Sequence, residues 1–238
     1  MIIKKILCVC WLILLCIPTG ASRANELNGN VPDKQRNLVV NGDFSEHWSI
    51  GWNKRLKDRT NGNLRVERVP SSSDPNDDLL HIVFQGKNNY GIVEQEVELP
   101  HGLKGLRLDF ELKIATYPGQ NFGLGGQPIE AFFGVQFENN KDNNLGTIWY
   151  SNNYKSPFQD SILIGTPKSR KPTDERCVIK VGNGYHRRTT NLYEKFLDCF
   201  SGVKPDQVKR VSIGAIIITI QQRDRAEIFI DNVKLYYD

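Results

Sequence analysis

What this chain is short of narrows its chemistry before any motif is read. It carries no nucleophile elbow, no phosphate-binding loop and no dinucleotide fingerprint, which removes the Gly-rich cradles that hold nucleotides and the sharp turn that presents a catalytic serine. Histidine is scarce, at four in 238 residues, and His47, His81 and His101 stand apart without metal-ligand spacing. Charge of one sign is not in excess either. Lys and Arg number 31 against 27 Asp and Glu, and the basic residues are scattered rather than striped, so nothing points to nucleic acid or an anionic membrane as a partner. No internal repeat or linker divides the chain, and helical periodicity is nearly absent.

Long apolar runs are missing too, with one exception at the start. Lys4-Lys5, the apolar stretch Ile6 to Ile17 and then Pro18-Thr-Gly-Ala-Ser-Arg-Ala24 read as a secretory signal over residues 1–24, with small residues Ser22 and Ala24 at the cleavage positions. About a dozen apolar residues fall short of the roughly 20 that span a bilayer, so no membrane span is expected. Lipoprotein anchoring through Cys16 would need a small residue where Leu15 stands. Polar, turn-rich residues 25–36 read as a flexible leader, and 37–238 as one exported, extracellular domain.

Removing the signal leaves Cys177 and Cys199 alone in a chain bound for an oxidising compartment, and they are expected to pair. The loop so closed holds about 20 residues, a stabilisation of roughly 3 kcal/mol in the chain-entropy account. A reactive thiol is the competing reading, but no flanking His or basic cluster is present to lower its pKa.

The dominant period of the remaining chain is two. Leu106, Leu108, Phe110, Leu112 and Ile114 alternate with Arg107, Asp109, Glu111 and Lys113, the pattern of a strand with one buried and one wet face. Leu80/Ile82/Phe84, Val93/Gln95/Val97/Leu99 and Ala131/Phe133/Val135/Phe137 repeat it. Val211 to Ile220 is apolar on both faces and is therefore expected to be covered on both sides. One short helix is expected near 191–200, where Leu192, Phe196 and Cys199 or Phe200 recur behind an Asn191 N-cap. Glu138 to Arg188 is too long for a turn and is expected to hold a hairpin of Thr147 to Tyr150 with Ser161 to Ile164. Short strands punctuated by Gly, Asn and Pro predict an all-β fold: a single-domain antiparallel jelly-roll β-sandwich.

The two ends are the most specific segments. Asn37-Leu-Val-Val-Asn-Gly-Asp-Phe-Ser45 with Gly51-Trp52, and Ile228-Phe-Ile-Asp-Asn-Val-Lys-Leu-Tyr236, each read as a short strand interrupted by a polar kink and are expected to lie side by side. They resemble the first and last strands of carbohydrate-binding modules of the family 4, 9 and 22 type, which are galactose-binding-domain-like jelly rolls. That resemblance implies a buried structural Trp52 and a structural calcium ion where the ends meet, held by Asp231 and Ser45, with Asp43 or Glu46 as substitutes because many relatives carry Glu where Ser45 stands. The competing reading makes Asp43 and Asp231 turn residues bonded to nearby amides.

Sugar recognition needs flat aromatic faces and hydrogen-bonding side chains. Tyr117, Phe122, Trp149, Tyr150 and Tyr154 lie in or beside Gly- and Asn-rich loops, and Tyr90 follows Asn88-Asn89 ahead of a strand. Trp149 and Tyr150 must point to opposite faces of a strand, one to the core and one out. Two patterns bear on an enzyme reading. Glu94/Glu96/Glu98 and Asp109/Glu111 have the spacing of paired carboxyls, yet a solvated outer face without aromatics explains them. Tyr185-His186-Arg187-Arg188 has the residue types of a lyase, but its side chains diverge in a Gly-rich loop. The expectation is a secreted, noncatalytic carbohydrate-binding protein whose partner is a polysaccharide or oligosaccharide. An extracellular protein-interaction or matrix domain is the alternative, and a polysaccharide lyase or glycoside hydrolase the third reading.

Overall fold

Period-two patterning becomes eleven strands among the described residues, which in this computed structural model are 36–56, 62–71, 74–86, 89–117, 129–152, 176–219 and 224–238. In chain order they are β1 (Asn53–Leu56), β2 (Gly62–Pro70), β3 (Asp78–Gly86), β4 (Asn89–Glu98), β5 (Leu106–Tyr117), β6 (Glu130–Glu138), β7 (Asn144–Ser151), β8 (Arg176–Lys180), β9 (His186–Asn191), β10 (Arg210–Thr219) and β11 (Arg225–Tyr237). A six-stranded sheet runs β1-β4-β10-β6-β7-β8 and a five-stranded sheet runs β2-β3-β11-β5-β9. Every pairing is antiparallel except β7 with β8. The fold is a jelly-roll β-sandwich with one short helix among the described residues.

The core lies between the sheets. The Leu106–Ile114 alternation on β5 sends its apolar members inward to 1 % exposure or less, where Phe110 meets Phe133 and Tyr150 at ring-centroid distances of 4.8 and 4.7 Å. The helix α1 (Leu192–Cys199) starts where expected, with the Asn191 side chain accepting the Glu194 N–H at 3.2 Å. Its inward face sets Phe196, and Phe200 just beyond, against Phe137 at 5.0 and 6.0 Å. The Cys177–Cys199 disulfide is present and ties β8 to the end of this helix.

The expected hairpin is corrected in part. Thr147 to Tyr150 does lie on a strand, but β7 pairs with β6 and, in parallel, with β8; Ser161 to Ile164 lie outside the described residues. The Tyr185–Arg188 run is likewise no simple loop, since β9 begins at His186 and pairs with β5.

The opening motif is not a strand. Residues 39–43 form turns, with Asn41 and Phe44 at φ of 50° and 51°, and the Asn41 side chain stitches the turn by accepting the Glu46 N–H and donating to the His47 carbonyl. The ends nevertheless lie side by side. Asn37 accepts the Leu235 N–H and donates to the Val233 carbonyl, Val233 donates to the Gly42 carbonyl at 2.8 Å, and Leu38 to the Leu235 carbonyl at 2.7 Å. Gln95 on β4 holds Val40 by a reciprocal pair of bonds. Phe44 is fully buried against Trp52, itself 2 % exposed, so the Gly51-Trp52 tryptophan is a core residue.

Candidate functional site

Side chains alternate across a sheet, so each inward residue fixes what its neighbours do. With Val93, Val97, Phe133, Val135, Ile148, Ile213 and Ala215 in the core, the six-stranded sheet turns a second set of side chains away from it. Register places these in rows across the strands. One row is Val178, Trp149, Gly134, Gly214, Glu94 and Asn53. On one side of it lie Phe132, Ile216 and Ile92, then Ile218 and Tyr90; on the other lie Gln136, Ser212 and Glu96, then Glu138, Arg210 and Glu98. The outer face is thus half apolar and half polar.

The apolar half is buried, and so is the polar half apart from Glu96 and Glu98, which are exposed. Ile92, Phe132, Trp149, Ile216 and Ile218 form a cluster of their own, with Tyr90 and Val178 packed against it, which accounts for a strand β10 apolar on both faces. On the polar half, Glu94, Gln136, Ser212 and Glu138 are each 4 % exposed or less. Of the acidic residues of β4, Glu96 and Glu98 are solvated as their alternation implied, whereas Glu94 is buried and shares its face with Trp149 and Phe132.

Two glycines meet at the centre of this face, Gly134 opposite Gly214. A Cβ on Gly134 would overlap the Trp149 ring, and one on Gly214 would lie within 2.8 Å of Glu94. The missing side chain of Gly134 lets the indole lie against the backbone of β6, and neither glycine adds a side chain between Trp149 and Glu94.

Glu94 pairs with Arg55 of β1 through one carboxylate oxygen. Its other oxygen, Oε2, is buried with no hydrogen-bond partner, as is the Oε1 of Gln136. Burial pushes the Glu94 carboxyl above its ordinary range, against the pull of Arg55 and with help from Glu96. Glu138 is fully engaged: its oxygens take Arg210, the Gln136 amide at 2.5 Å and the Ser212 hydroxyl at 3.3 Å.

The other aromatic candidates are dispersed. Tyr150 is a correction: parity turns it into the core at 1 % exposure, with its hydroxyl on Thr190 at 2.8 Å, so it offers no ring to a ligand. Tyr117 is exposed, but on the outer face of the opposite sheet beside the Arg225 guanidinium. Tyr90 borders the apolar cluster around Trp149. Phe122 and Tyr154 lie outside the described residues. Only Trp149 and Tyr90 share a face among the described candidates.

The residues that the resemblance names for a calcium ion carry local hydrogen bonds. Ser45 spends its hydroxyl and its N–H on the Asp43 carboxylate, while Asp231, at the bulge where β11 shifts register, accepts from the N–H and side chain of Asn232. Among the described residues no three His, Cys, Asp or Glu side chains gather to hold a metal ion; a calcium ion here would draw the rest of its six to eight oxygens from backbone carbonyls and hydroxyls.

No family model matches the chain, and no curated protein matches it. Solved structures do resemble it in fold. A tailspike protein 4 enzymatic domain of bacteriophage CBA120 is 15 % identical with a TM-score of 0.46, over 85 % of this chain and only 21 % of that one. TmCBM61, solved with β-1,4-galactotriose, is 13 % identical with a TM-score of 0.42, over 85 % and 99 %. The family 11 carbohydrate-binding module of a Clostridium thermocellum cellulase is 12 % identical with a TM-score of 0.42, over 88 % and 96 %. Carbohydrate-binding modules recur among these neighbours, beside glucan-hydrolase domains.

Proposed function

We propose that this chain is an exported carbohydrate-binding protein that holds a β-linked polysaccharide, without cleaving it, on the outer face of its six-stranded sheet. One observation carries the reading: the row Trp149–Gly134–Gly214–Glu94, which sets an indole, two glycines and a buried carboxylate with one unpaired oxygen side by side. Trp149 is 5 % exposed and Glu94 3 %, so a sugar reaches them only by displacing what covers this face; the indole plane then offers a surface to the apolar face of a pyranose. Buried acceptors left without protein partners are expensive unless a donor meets them, and sugar hydroxyls are such donors. The test is affinity electrophoresis in gels of soluble β-glucan, xylan and mannan. Retardation in at least one gel is expected, weakened by Trp149→Phe, which keeps apolar packing against Phe132; unchanged mobility in every gel overturns the reading.

A second reading, glycoside hydrolysis, rests on Glu94. A buried carboxyl whose pKa is raised can act as a general acid, and Glu94 sits beside an aromatic on the same face. Release of new reducing ends from any of those polymers would favour it; none is expected, because Glu138 is committed to Arg210.

A further inference from the structure

Three lysines from separate parts of the sequence converge on one cavity, away from the Trp149 row. It measures about 750 Å³ and lies among the turn that joins β4 to β5, the helix α1 and the short 3-10 turn Pro205–Gln207, a volume within the roughly 300–1,000 Å³ of small-ligand sites. Lys104 belongs to the β4–β5 turn, Lys204 precedes the 3-10 turn, and Lys209 precedes β10. Basic residues that are scattered in the sequence are here gathered by the fold.

The backbone beneath these side chains is fixed. Leu99 and Leu103 are 6 % and 2 % exposed, and the Leu103–Leu106 turn that carries Lys104 closes through the Leu106 N–H on the Leu103 carbonyl at 3.1 Å. Lys209 accepts the Leu99 N–H and donates to the Glu138 carbonyl, both at 2.9 Å, while the Val208 N–H closes the 3-10 turn on Pro205. The charges, by contrast, are unanswered. Among the described residues no ion pair engages Lys104, Lys204 or Lys209, and all three are exposed. His101 and Asp206 complete the ionisable lining, Asp206 being its one acid; Glu98, next to Leu99, faces Arg210 instead, at 3.9 Å. Three ammonium groups around one cavity repel one another unless anions come between them.

An ammonium is a point charge with three N–H donors, matched by carboxylate or sulfate oxygens. Three of them, carried by separate segments, suit anionic groups repeated along one chain better than a single small ion. Tyr193, half-buried on α1, adds an aromatic ring to the same lining, a surface for the apolar face of a pyranose. We propose that this cavity is a second glycan site, which takes an acidic polysaccharide bearing carboxylate or sulfate groups, with Lys104, Lys204 and Lys209 on the anions and Tyr193 against a sugar ring. It goes beyond the reading given to the Trp149 row and shares no residue with it. The overall charge of +4 over 238 residues is too small to supply such binding without a local site.

The test is binding of the intact protein to immobilised polygalacturonate, dextran sulfate and neutral dextran at about 0.15 M salt, where exposed charges more than about 8 Å apart are largely screened. Retention is expected on at least one acidic matrix and not on dextran, and the matrix that retains the protein identifies the anion as carboxylate or sulfate ester. Lys104→Gln, Lys204→Gln and Lys209→Gln together should raise Kd at least about ten-fold. Lys54→Gln, Lys141→Gln and Lys180→Gln together remove the same charge from exposed positions outside the cavity and should raise it less than about two-fold. Exposed substitutions of this kind leave the urea midpoint near that of the wild type. Equal losses in the two combined variants, no loss in either, or a wild type retained by neither acidic matrix overturns the inference. Retardation in the neutral gels without retention on the acidic matrices sinks this inference alone; acidic retention that the cavity variant loses upholds it even where the neutral gels show nothing.

Discussion

Asn37 accepts the backbone N–H of Leu235 at 2.9 Å across 198 residues of sequence. The same side chain donates to the Val233 carbonyl and accepts the Val39 N–H, so one amide closes the head of the domain onto its last strand. Asn37→Ala removes these bonds and leaves the Leu235 N–H without its partner in a part-buried place. Net losses of about 0.5–1.5 kcal/mol per bond add to about 2 kcal/mol, read as a lower urea midpoint at constant slope. Polysaccharide retention should survive, because Asn37 lies away from the Trp149–Glu94 row.

Asp231 gives the fold a pH dependence of defined sign. Burial raises its carboxyl to about 7 from an ordinary 3.8, with Asp77 and Glu111 adding to the rise and the Asn232 N–H opposing it. Between those values the folded state keeps a proton that the unfolded chain has lost. Stability from this group is therefore present at low pH and declines as pH rises from about 4 to about 7. Urea midpoints measured across that range should fall with pH in the wild type. Asp231→Asn, which cannot ionise, should flatten the profile; an identical slope in the variant refutes the assignment.

Calcium is tested independently of sugar. Ser45 and Asp43 bond to one another while Asp231 bonds to Asn232, so EDTA should leave the thermal midpoint where it is. An ion bound only to the folded state would add its binding free energy to stability. A drop of several degrees on chelation, restored by added calcium, would return the ion to the junction of the two ends.

The disulfide joins β8 to the C-terminal end of α1 across a separation of 22 residues. Constraint of the unfolded chain by a loop of that size is worth about 3 kcal/mol on the entropic account. Reduction, or Cys177→Ser with Cys199→Ser, should lower unfolding free energy by that order and loosen the packing of Phe196 and Phe200 on Phe137. Hydrogen exchange at the α1 amides would show the second effect directly.

Strands with one clean apolar stripe were legible in the sequence because a single parity decides them: β3, β4, β5 and β6 stand where alternation put them, and Asn191 caps the helix it was expected to cap. The opening motif misled because Val39 and Val40 look strand-like, while the local bonds of Asn41 and the left-handed backbone at Asn41 and Phe44 prefer turns. β9, with His186-Arg-Arg-Thr-Thr-Asn191, has no apolar stripe to reveal it. Glu94 was misjudged for a different reason. Alternation says which face a residue is on, and nothing local says whether that face is wet. The meeting of Gly134 with Gly214, and of both with Trp149 and Glu94, depends on pairings between strands up to 120 residues apart, which only the folded register supplies. The divergence of Trp149 and Tyr150 was legible because a strand forces neighbouring side chains apart, which sends Tyr150 to the core and Trp149 to the outer face.

Gly134 offers the sharpest separation of packing from recognition at this site. Its missing Cβ lets the Trp149 ring lie against β6, and an added methyl would overlap that ring and sit 2.7 Å from the Ile148 carbonyl oxygen. Gly134→Ala must therefore lift the indole from the floor, at an overpacking penalty of about 1–3 kcal/mol. The Trp149 ring can move but the Ile148 carbonyl is backbone, so β6 and β7 must also part slightly, and the variant should show a lower urea midpoint and a shifted tryptophan emission while losing polysaccharide retention. An alanine at 102 is the control, since a Cβ there meets nothing within 4 Å; the positive φ of Gly102 gives it a comparable stability loss, without touching the sheet. If both variants lose stability alike and both still bind, the Trp149 floor is packing alone and the ligand lies elsewhere.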